Sequence, residues 1–227
     1  YSLSFDGDDD YVDLNYRLPV ENKTYSFWAK TTDESVFNFI SSADYDNAYQ
    51  AFSIKGNYPN GTDRVAVYIL SSAGNDWIKY AENTNLTDGN WHHYAVTLGD
   101  ASNNGVNLYI DGINQSFLVH QTHGTVQDFE LPDGLNIGQR SDGIEYFNGK
   151  LDELRIWNYV LAEEEIQNNM YSELSGDEEG LIGHWKFDAG DGTILYDHSG
   201  NQNHGMINGG AQWAGCTNPL ASNYLPD

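Results

Sequence analysis

The residues most capable of chemistry are the acids near the start of the chain. Asp6-Gly7-Asp8-Asp9-Asp10 places four carboxylates in five positions. Ca²⁺ takes about six to eight hard oxygens from carboxylates, carbonyls and water. The same run also reads as a solvated acidic turn, and the residues alone leave both readings open. A further acid, Asp152, lies in the apolar strand pattern Leu151-Asp152-Glu153-Leu154-Arg155-Ile156-Trp157. An acid in that setting must be paired, hydrogen-bonded or metal-bound. Asp188-Ala189-Gly190-Asp191-Gly192 has acids without the frame of a linear EF-hand loop. Zinc is not expected. His92 and His93 are neighbours in a strand and face opposite ways, His120 and His123 flank a turn, and His198 and His204 lie in a polar loop.

Catalytic patterns are missing where they would be looked for. A glycosidase needs two carboxylates on one surface, flanking the scissile bond. Here Glu163-Glu164-Glu165 falls in a helical pattern, and Asp152 and Glu153 are strand neighbours that point apart. There is no G-x-S-x-G, and the single cysteine, Cys216, sits in a terminal stretch and rules out an internal disulfide framework. The expectation is a binding protein and not an enzyme. Charge narrows the partners. Ten Lys and Arg against 34 Asp and Glu give a net −24, a field that repels nucleic acid and anionic lipid, and polyanionic sugars unless a metal inverts it locally. The acidity equally suits a solvated surface in salty surroundings. No apolar run is long enough to span a membrane, so no membrane insertion is expected.

These residues must be held by strands. Short runs rich in aromatic and β-branched residues recur between Gly/Asn/Asp clusters, the pattern of an all-β sandwich. Tyr25–Ala29, Val65–Leu70 and His92–Leu98 are such runs, and Leu135–Gly138 is a shorter one. Val106–Ile110, Asp111-Gly112 and Ile113–Phe117 read as a hairpin with a type I′ turn, where both central residues need positive φ. In Leu151–Trp157 neither face is purely apolar; Leu154 and Ile156 are expected to point inward, with Asp152 at the edge of the core. One helix is expected from about Ala162 to Glu173, with Ile166, Met170 and Leu174 on one face, acids in its first turn and Gly176 as its stop. Leu181–Phe187 resumes strand pattern. Trp28, Trp91, Trp157 and Trp185 are assigned to the core, and Trp213 to the last core element.

Several of these stretches resemble laminin-G-like, concanavalin A-like modules. Phe5-Asp6-Gly7-Asp8-Asp9-Asp10-Tyr11-Val12 is similar to their opening strand, and Trp91-His92-His93-Tyr94-Ala95 to an inner one. Leu108-Tyr109-Ile110-Asp111-Gly112 resembles their hairpin, and Phe147–Trp157 the "F-x-G-x-IDEVRIW" strand that precedes the helix. Leu161-Ala162 stands where the family has Leu-Ser, which weakens the helix cap. Gly180–Phe187 and Asp197–Gly205 are similar to a completing segment found in multi-module surface proteins of marine Bacteroidetes, and Gly215–Asp227 to the start of a Cys-containing repeat there. The resemblance implies a two-sheet antiparallel jelly roll with one short helix over residues 1–213, and a linker or the start of a following repeat over 214–227. It implies a secreted or cell-surface location, as a monomeric unit within a multi-domain chain, and a structural Ca²⁺ held by Asp6, Asp10 and Asp152. Its function classes are a carbohydrate-binding module for a polysaccharide or glycan, a protein-interaction or adhesion domain for an extracellular protein, and a spacer.

Sugar-binding modules stack exposed rings on the apolar faces of sugars and reach hydroxyls with polar side chains. Tyr45, Tyr49, Tyr58, Trp77, Tyr80 and Tyr146 lie in polar surroundings, and Gln139 and Arg140 follow a strand onto a rim loop. The ligand set expected is Trp77, Tyr80, Arg140 and Tyr146, each of which could instead simply cap the core.

Overall fold

The computed structural model describes residues 1–14, 22–44, 50–59, 63–70, 76–99, 105–122 and 134–215. The expected tail repeat with Cys216, and the candidates Tyr45 and Tyr49, lie outside them.

All strand pairs are antiparallel and form two sheets. The first, of eight strands, contains β1 (Ser2–Asp6), β3 (Lys23–Lys30), β8 (His92–Leu98), β9 (Val106–Ile110), β10 (Ile113–Asn114), β13 (Asn148–Trp157), β14 (Leu181–Trp185) and β17 (Gln212–Ala214). Its order is β10-β9-β8-β3-β13-β1-β17, with β14 also pairing β13. The second, of nine, contains β2 (Tyr11–Asp13), β4 (Phe37–Asp44), β5 (Gln50–Gly56), β6 (Arg64–Leu70), β7 (Asp76–Glu82), β11 (Leu118–Thr122), β12 (Asn136–Ile137), β15 (Ile194–Leu195) and β16 (Gly205–Asn208), in the order β11-β7-β6-β5-β4-β12-β2-β16-β15. This is a jelly-roll sandwich. Residues 181–214 contribute strands to both sheets: β14 and β17 to the first, β15 and β16 to the second.

Alternation sorts side chains between the core and two outer faces. Phe5, Tyr25, Phe27, Tyr94 and Leu154 from one sheet meet Phe37, Phe39, Phe52, Ile54 and Val67 from the other. Phe39 is the hub of the aromatic cluster, within 5.3 Å of the rings of Phe27, Phe37, Tyr94 and Phe147. Trp185 is fully buried in this core. Trp157 belongs instead to a second cluster on the outer side of the first sheet, with Ala95, Tyr109, Leu161, Ile166, Leu174 and Leu181. Trp28 and Trp91 are buried as expected, and Trp213 is half-buried against the main core.

The hairpin turns as the sequence requires: Asp111 and Gly112 have φ of 51° and 75°, and Ile113 pairs with Ile110. β10 stops at Asn114, with Ile113 exposed at the sheet edge. The helix α1 (Glu163–Asn169) is shorter than its periodicity suggests. The carbonyls at and beyond its end are taken by the sheet beneath: Arg155 donates to the Asn169 and Ser172 carbonyls, and Trp28 Nε1 donates to that of Met170. At its start, Ala162 has no side-chain acceptor, and Glu165 completes half of a capping box by accepting from the Ala162 amide at 2.7 Å. Gly176 has φ +100°, and a Cβ there would sit 1.9 Å from the His198 carbonyl oxygen.

β13 departs from the simple alternation. Its register with β3 slips between Asp152 and Arg155, and Glu153 has φ +51°. This bulge adds one residue and reverses the phase, so Leu151 joins Leu154 and Ile156 in the core. Asp152 pairs with Trp28 and is fully buried.

Candidate functional site

The acidic run forms a tight rim turn between β1 and β2. Asp6, Asp9 and Asp10 each bring a carboxylate oxygen within 4.8 Å of the others. The turn is held by its own side chains: the Asp6 amide donates to Asp10 Oδ2 and the Asp8 amide to Asp6 Oδ1, both at 2.9 Å. Burial, with Asp6 and Asp9 alongside, raises the pKa of Asp10. Gly138 allows β12 to press on this turn: a Cβ there would lie 2.6 Å from the Phe5 ring and 3.4 Å from the Asp10 carbonyl.

The register separates Asp152 from this group. Asp6 pairs with Asn148, four residues before Asp152 on β13, about 13 Å along the strand. The expected trio therefore divides into Asp6 and Asp10, joined by Asp9, and a remote Asp152. The cause is long-range pairing, which sequence proximity does not reveal. Asp152 Oδ1 accepts from the Glu153 amide, whereas Oδ2 has no partner. Burial, with Glu153 as a like charge, pushes its pKa well above the usual carboxylate range.

The candidate ligand residues fall on two surfaces. Tyr146 is half-buried at the rim, where burial and then the negative charge of Asp9 raise its pKa. The loop that carries it folds from β12 towards the outer face of the second sheet, with hydrogen bonds from the Gly138 amide to the Phe39 carbonyl and from the Asn38 amide to the Glu145 carbonyl. On that loop Arg140 donates to both oxygens of Asp142 at 2.7 Å and to Glu145 Oε1 at 3.2 Å. Glu145 Oε2 accepts from Lys55 Nζ at 2.8 Å and from Asn38 Nδ2 at 2.9 Å.

Lys55 is the centre that sequence reasoning missed. It lies mid-row on the outer face, its neighbours in register being Asn38 on β4 and Ala66 on β6, with Tyr80 on β7 beyond. Its ammonium is 4.7 Å from the centre of the Tyr58 ring and 5.5 Å from that of Tyr68. The two rings stand edge to face, 6.2 Å apart at 87°. Burial lowers the pKa of Lys55, and Glu145 opposes that shift. Tyr80 stands in the same row under the Arg64 guanidinium, 4.9 Å from its ring, and Arg64 is ion-paired with Glu82. The adjacent row reads Asn136, Ser41, Ser53 and Tyr68. A strand alternating Phe52 and Ile54 with Ser53 and Lys55 carried the signal of a polar outer face.

Thus Arg140 and Tyr80 reach the same face through Glu145 and Lys55, and Tyr146 stands beside the acidic turn. Trp77 pairs in register with Ile69 and Thr122, and its side chain lies outside those described. The arrangement offers three half-buried tyrosine rings over a floor of small and polar side chains, with each cation held by an acid. Rings so placed present a hydrophobic plane and a hydroxyl to one ligand.

Residues 6–167 match the family described as the concanavalin A-like lectin/glucanases superfamily. The rat protein "Sushi, von Willebrand factor type A, EGF and pentraxin domain-containing protein 1" is 28% identical over 175 residues, which are 70% of this chain and 4% of that protein. A proposed carbohydrate-binding protein from Bacteroides ovatus superposes with a TM-score of 0.62 at 18% identity, over 94% of this chain and 60% of that one. The CBM40 of the Ruminococcus gnavus IT-sialidase, solved with α2,3-sialyllactose, superposes with a TM-score of 0.50 at 16% identity, over 65% of this chain and 82% of that one. At such identities the two structures share a fold with this chain. Among the described residues no helix is long and apolar enough to cross a membrane.

Proposed function

Because this chain belongs to the concanavalin A-like lectin/glucanases superfamily, we propose that it is a non-catalytic, extracellular carbohydrate-binding module whose ligand face is the outer side of the nine-stranded sheet. The observation that carries this reading is the pair of tyrosines, Tyr58 and Tyr68, fixed around the buried ammonium of Lys55. Orienting the rings before binding lowers the ordering cost that a flexible platform would incur. Tyr80 and Arg140 extend the face in either direction. The carbohydrate-binding descriptions of two proteins with this fold support the reading. The pairing of β14–β17 into both sheets supports treating residues 1–213 as one module.

A structural Ca²⁺ is part of the proposal. Three carboxylates within 4.8 Å, one of them buried with a raised pKa, form a donor set of the kind that cation prefers. Asp6, Asp9 and Asp10 would hold the ion. Asp152 would meet its own demand for a partner separately, by a proton or by a second cation on its free oxygen.

The test is an affinity-gel and glycan-array screen with Ca²⁺ and again with EDTA, following melting temperature in parallel. Saccharide binding that survives EDTA, or weakens only as the melting temperature falls, supports a glycan module with a structural ion. Binding lost in EDTA without unfolding moves the ion into the ligand site. No binding to any glycan would sink the carbohydrate reading in favour of protein adhesion or a spacer.

A further inference from the structure

The chain has ten Lys and Arg residues, and among the described residues three of them stand on or beside the proposed ligand face: Lys55, Arg64 and Arg140. Each is already matched. Lys55 is paired with Glu145, Arg64 with Glu82, and Arg140 with both Asp142 and Glu145. Arg140 spends its Nε and Nη2 on the two oxygens of Asp142 and its Nη1 on Glu145. Lys55 is 4% exposed, so its ammonium faces rings and a carboxylate, not solvent. The balance on the face is three cations against three acids, in a molecule whose overall charge is −24.

Resting on the reading of this face as a glycan platform, we infer that its ligand class is a neutral polysaccharide, recognised by ring stacking and hydroxyl hydrogen bonds, and that uronate and sulfated polymers are excluded. A carboxylate or sulfate brings acceptors and negative charge. To use Lys55 it must displace Glu145, leaving that half-buried carboxylate without its partner, an unfavourable exchange. To use Arg140 it must compete with the two hydrogen bonds already accepted by Asp142. It must also approach through the field of a strongly acidic protein, which slows association and weakens binding. A neutral sugar meets neither obstacle. Its hydroxyls can donate to the paired carboxylates without breaking their ion pairs, and its C–H faces can lie on Tyr58, Tyr68 and Tyr80.

The acids Glu145 and Asp142 then act as specificity-determining residues. They hold the cations of the face in pairs that an anionic ligand would otherwise claim. Removing either acid would convert the face from neutral to cationic.

The experiment is affinity electrophoresis of the intact chain in gels containing a neutral β-glucan, a neutral mannan, a polyuronate or a sulfated galactan, at about 0.05 and 0.5 M NaCl. Retardation is expected in at least one neutral gel, changing less than twofold with salt, since no counterion-releasing contact forms. No retardation is expected in either anionic gel. Asp142→Asn is the first variant, because its side chain is exposed and its loss frees Arg140 with little risk to folding; Glu145→Gln is the second. Both are expected to gain salt-sensitive retardation in the polyuronate gel. Wild-type binding to an anionic polymer as strong as or stronger than to the neutral ones would overturn the inference while leaving the glycan reading standing. Folded variants that gain no anionic retardation would also overturn it. Absence of retardation in all four gels would instead be the failure of the glycan reading itself.

Discussion

The two outer faces of the sandwich use similar residues for opposite ends. On the eight-stranded sheet, Glu153, Arg155 and His184 form a buried cluster: Glu153 Oε2 is 2.9 Å from both Arg155 Nη2 and His184 Nε2. Arg155 also donates from Nη1 to the Asn169 carbonyl and from Nη2 to that of Ser172, and the apolar side of the helix closes over Trp157 and Tyr109. On the nine-stranded sheet, Lys55, Glu145 and Arg140 form a comparable network, but half-buried tyrosines flank it. Charge on a strand's outer side is therefore not itself a functional sign. What distinguishes the faces is the cover. Where a helix supplies the partner, the cation seals structure; where rings and loop acids do, the face can still receive a ligand.

The largest effect is expected from Arg155→Met, which leaves Glu153 buried with only His184 and frees the carbonyls at and beyond the end of α1. A loss of about 3–5 kcal/mol in urea unfolding is expected, with unchanged glycan affinity in the folded fraction. A smaller loss than about 1 kcal/mol would mean the buried cluster does not secure the helix.

The complementary variant, Tyr58→Ala with Tyr68→Ala, acts on the open face. Affinity-gel titration is expected to show about a 10- to 100-fold loss of glycan affinity, equivalent to about 1.4–2.8 kcal/mol. Stability should move less, because both rings are partly exposed in the folded chain.

Acid should also separate the two faces. His93 lies buried against Trp28, with Arg155 and Asp111 as its nearest charges, and burial lowers its pKa from an ordinary 6.5 to about 3. Between those values the unfolded chain binds a proton that the folded chain does not, so stability falls as pH falls through that window. The carboxyl pKa values of Asp111 and Glu153 are lowered, so their contributions are lost below the ordinary carboxylate range, in the same direction. Asp10 and Asp152 work the other way, because burial raises their pKa values and the cost of burying their charge is relieved as pH falls through those values, and so does His92. Its hydrogen bond to Asp111 raises its pKa, so its contribution is present below the unfolded value and lost as pH rises through the folded one. Unfolding from pH 7 to pH 4 is expected to show a net decline of up to about 1.4 kcal/mol per pH unit per uncompensated site. His93→Phe is expected to flatten it, and an unchanged slope would remove His93 as the cause. Glycan affinity between pH 5 and 7.5 should stay constant while the chain is folded.

The smallest effect is expected at the rim. With about 1 mM Ca²⁺ and the roughly 10⁻⁴–10⁻³ M affinity of extracellular modules, chelation should cost about 1 kcal/mol. Differential scanning calorimetry should find that loss in the wild type and not in Asp6→Asn. Equal losses in both would move the ion elsewhere, with Asp152 the next position to test.

Much of the sandwich was legible from local pattern. The Asp111-Gly112 turn, the strand from His92 to Leu98 and the start of the helix rest on short-range backbone and periodicity rules, and these elements form, the helix over Glu163–Asn169. What escaped depends on contacts far apart in sequence. The bulge at Asp152 and Glu153 reverses the phase of β13, so Leu151 reads as outward when the residues are simply alternated. Pairing of Asp6 with Asn148 sets Asp152 away from the acidic turn, and nothing in either segment encodes that register. The helix ends early because Arg155 and Trp28, on other strands, take the carbonyls at and beyond its end. Lys55 was missed for a different reason. Its significance comes from Tyr58, Tyr68 and Glu145; Tyr58 was singled out in the sequence only as a ring in polar surroundings, and nothing there joins these three residues to Lys55.

The most direct test of the account is isothermal titration of a neutral glycan oligosaccharide, chosen from the gel screen, into the wild type, Tyr68→Ala and Arg155→Met at a temperature where all three are folded. Wild-type affinity is expected in Arg155→Met, and a loss of about tenfold or more in Tyr68→Ala. Full affinity in Tyr68→Ala, or its loss only in Arg155→Met, would contradict it and move the ligand to the helix-covered face.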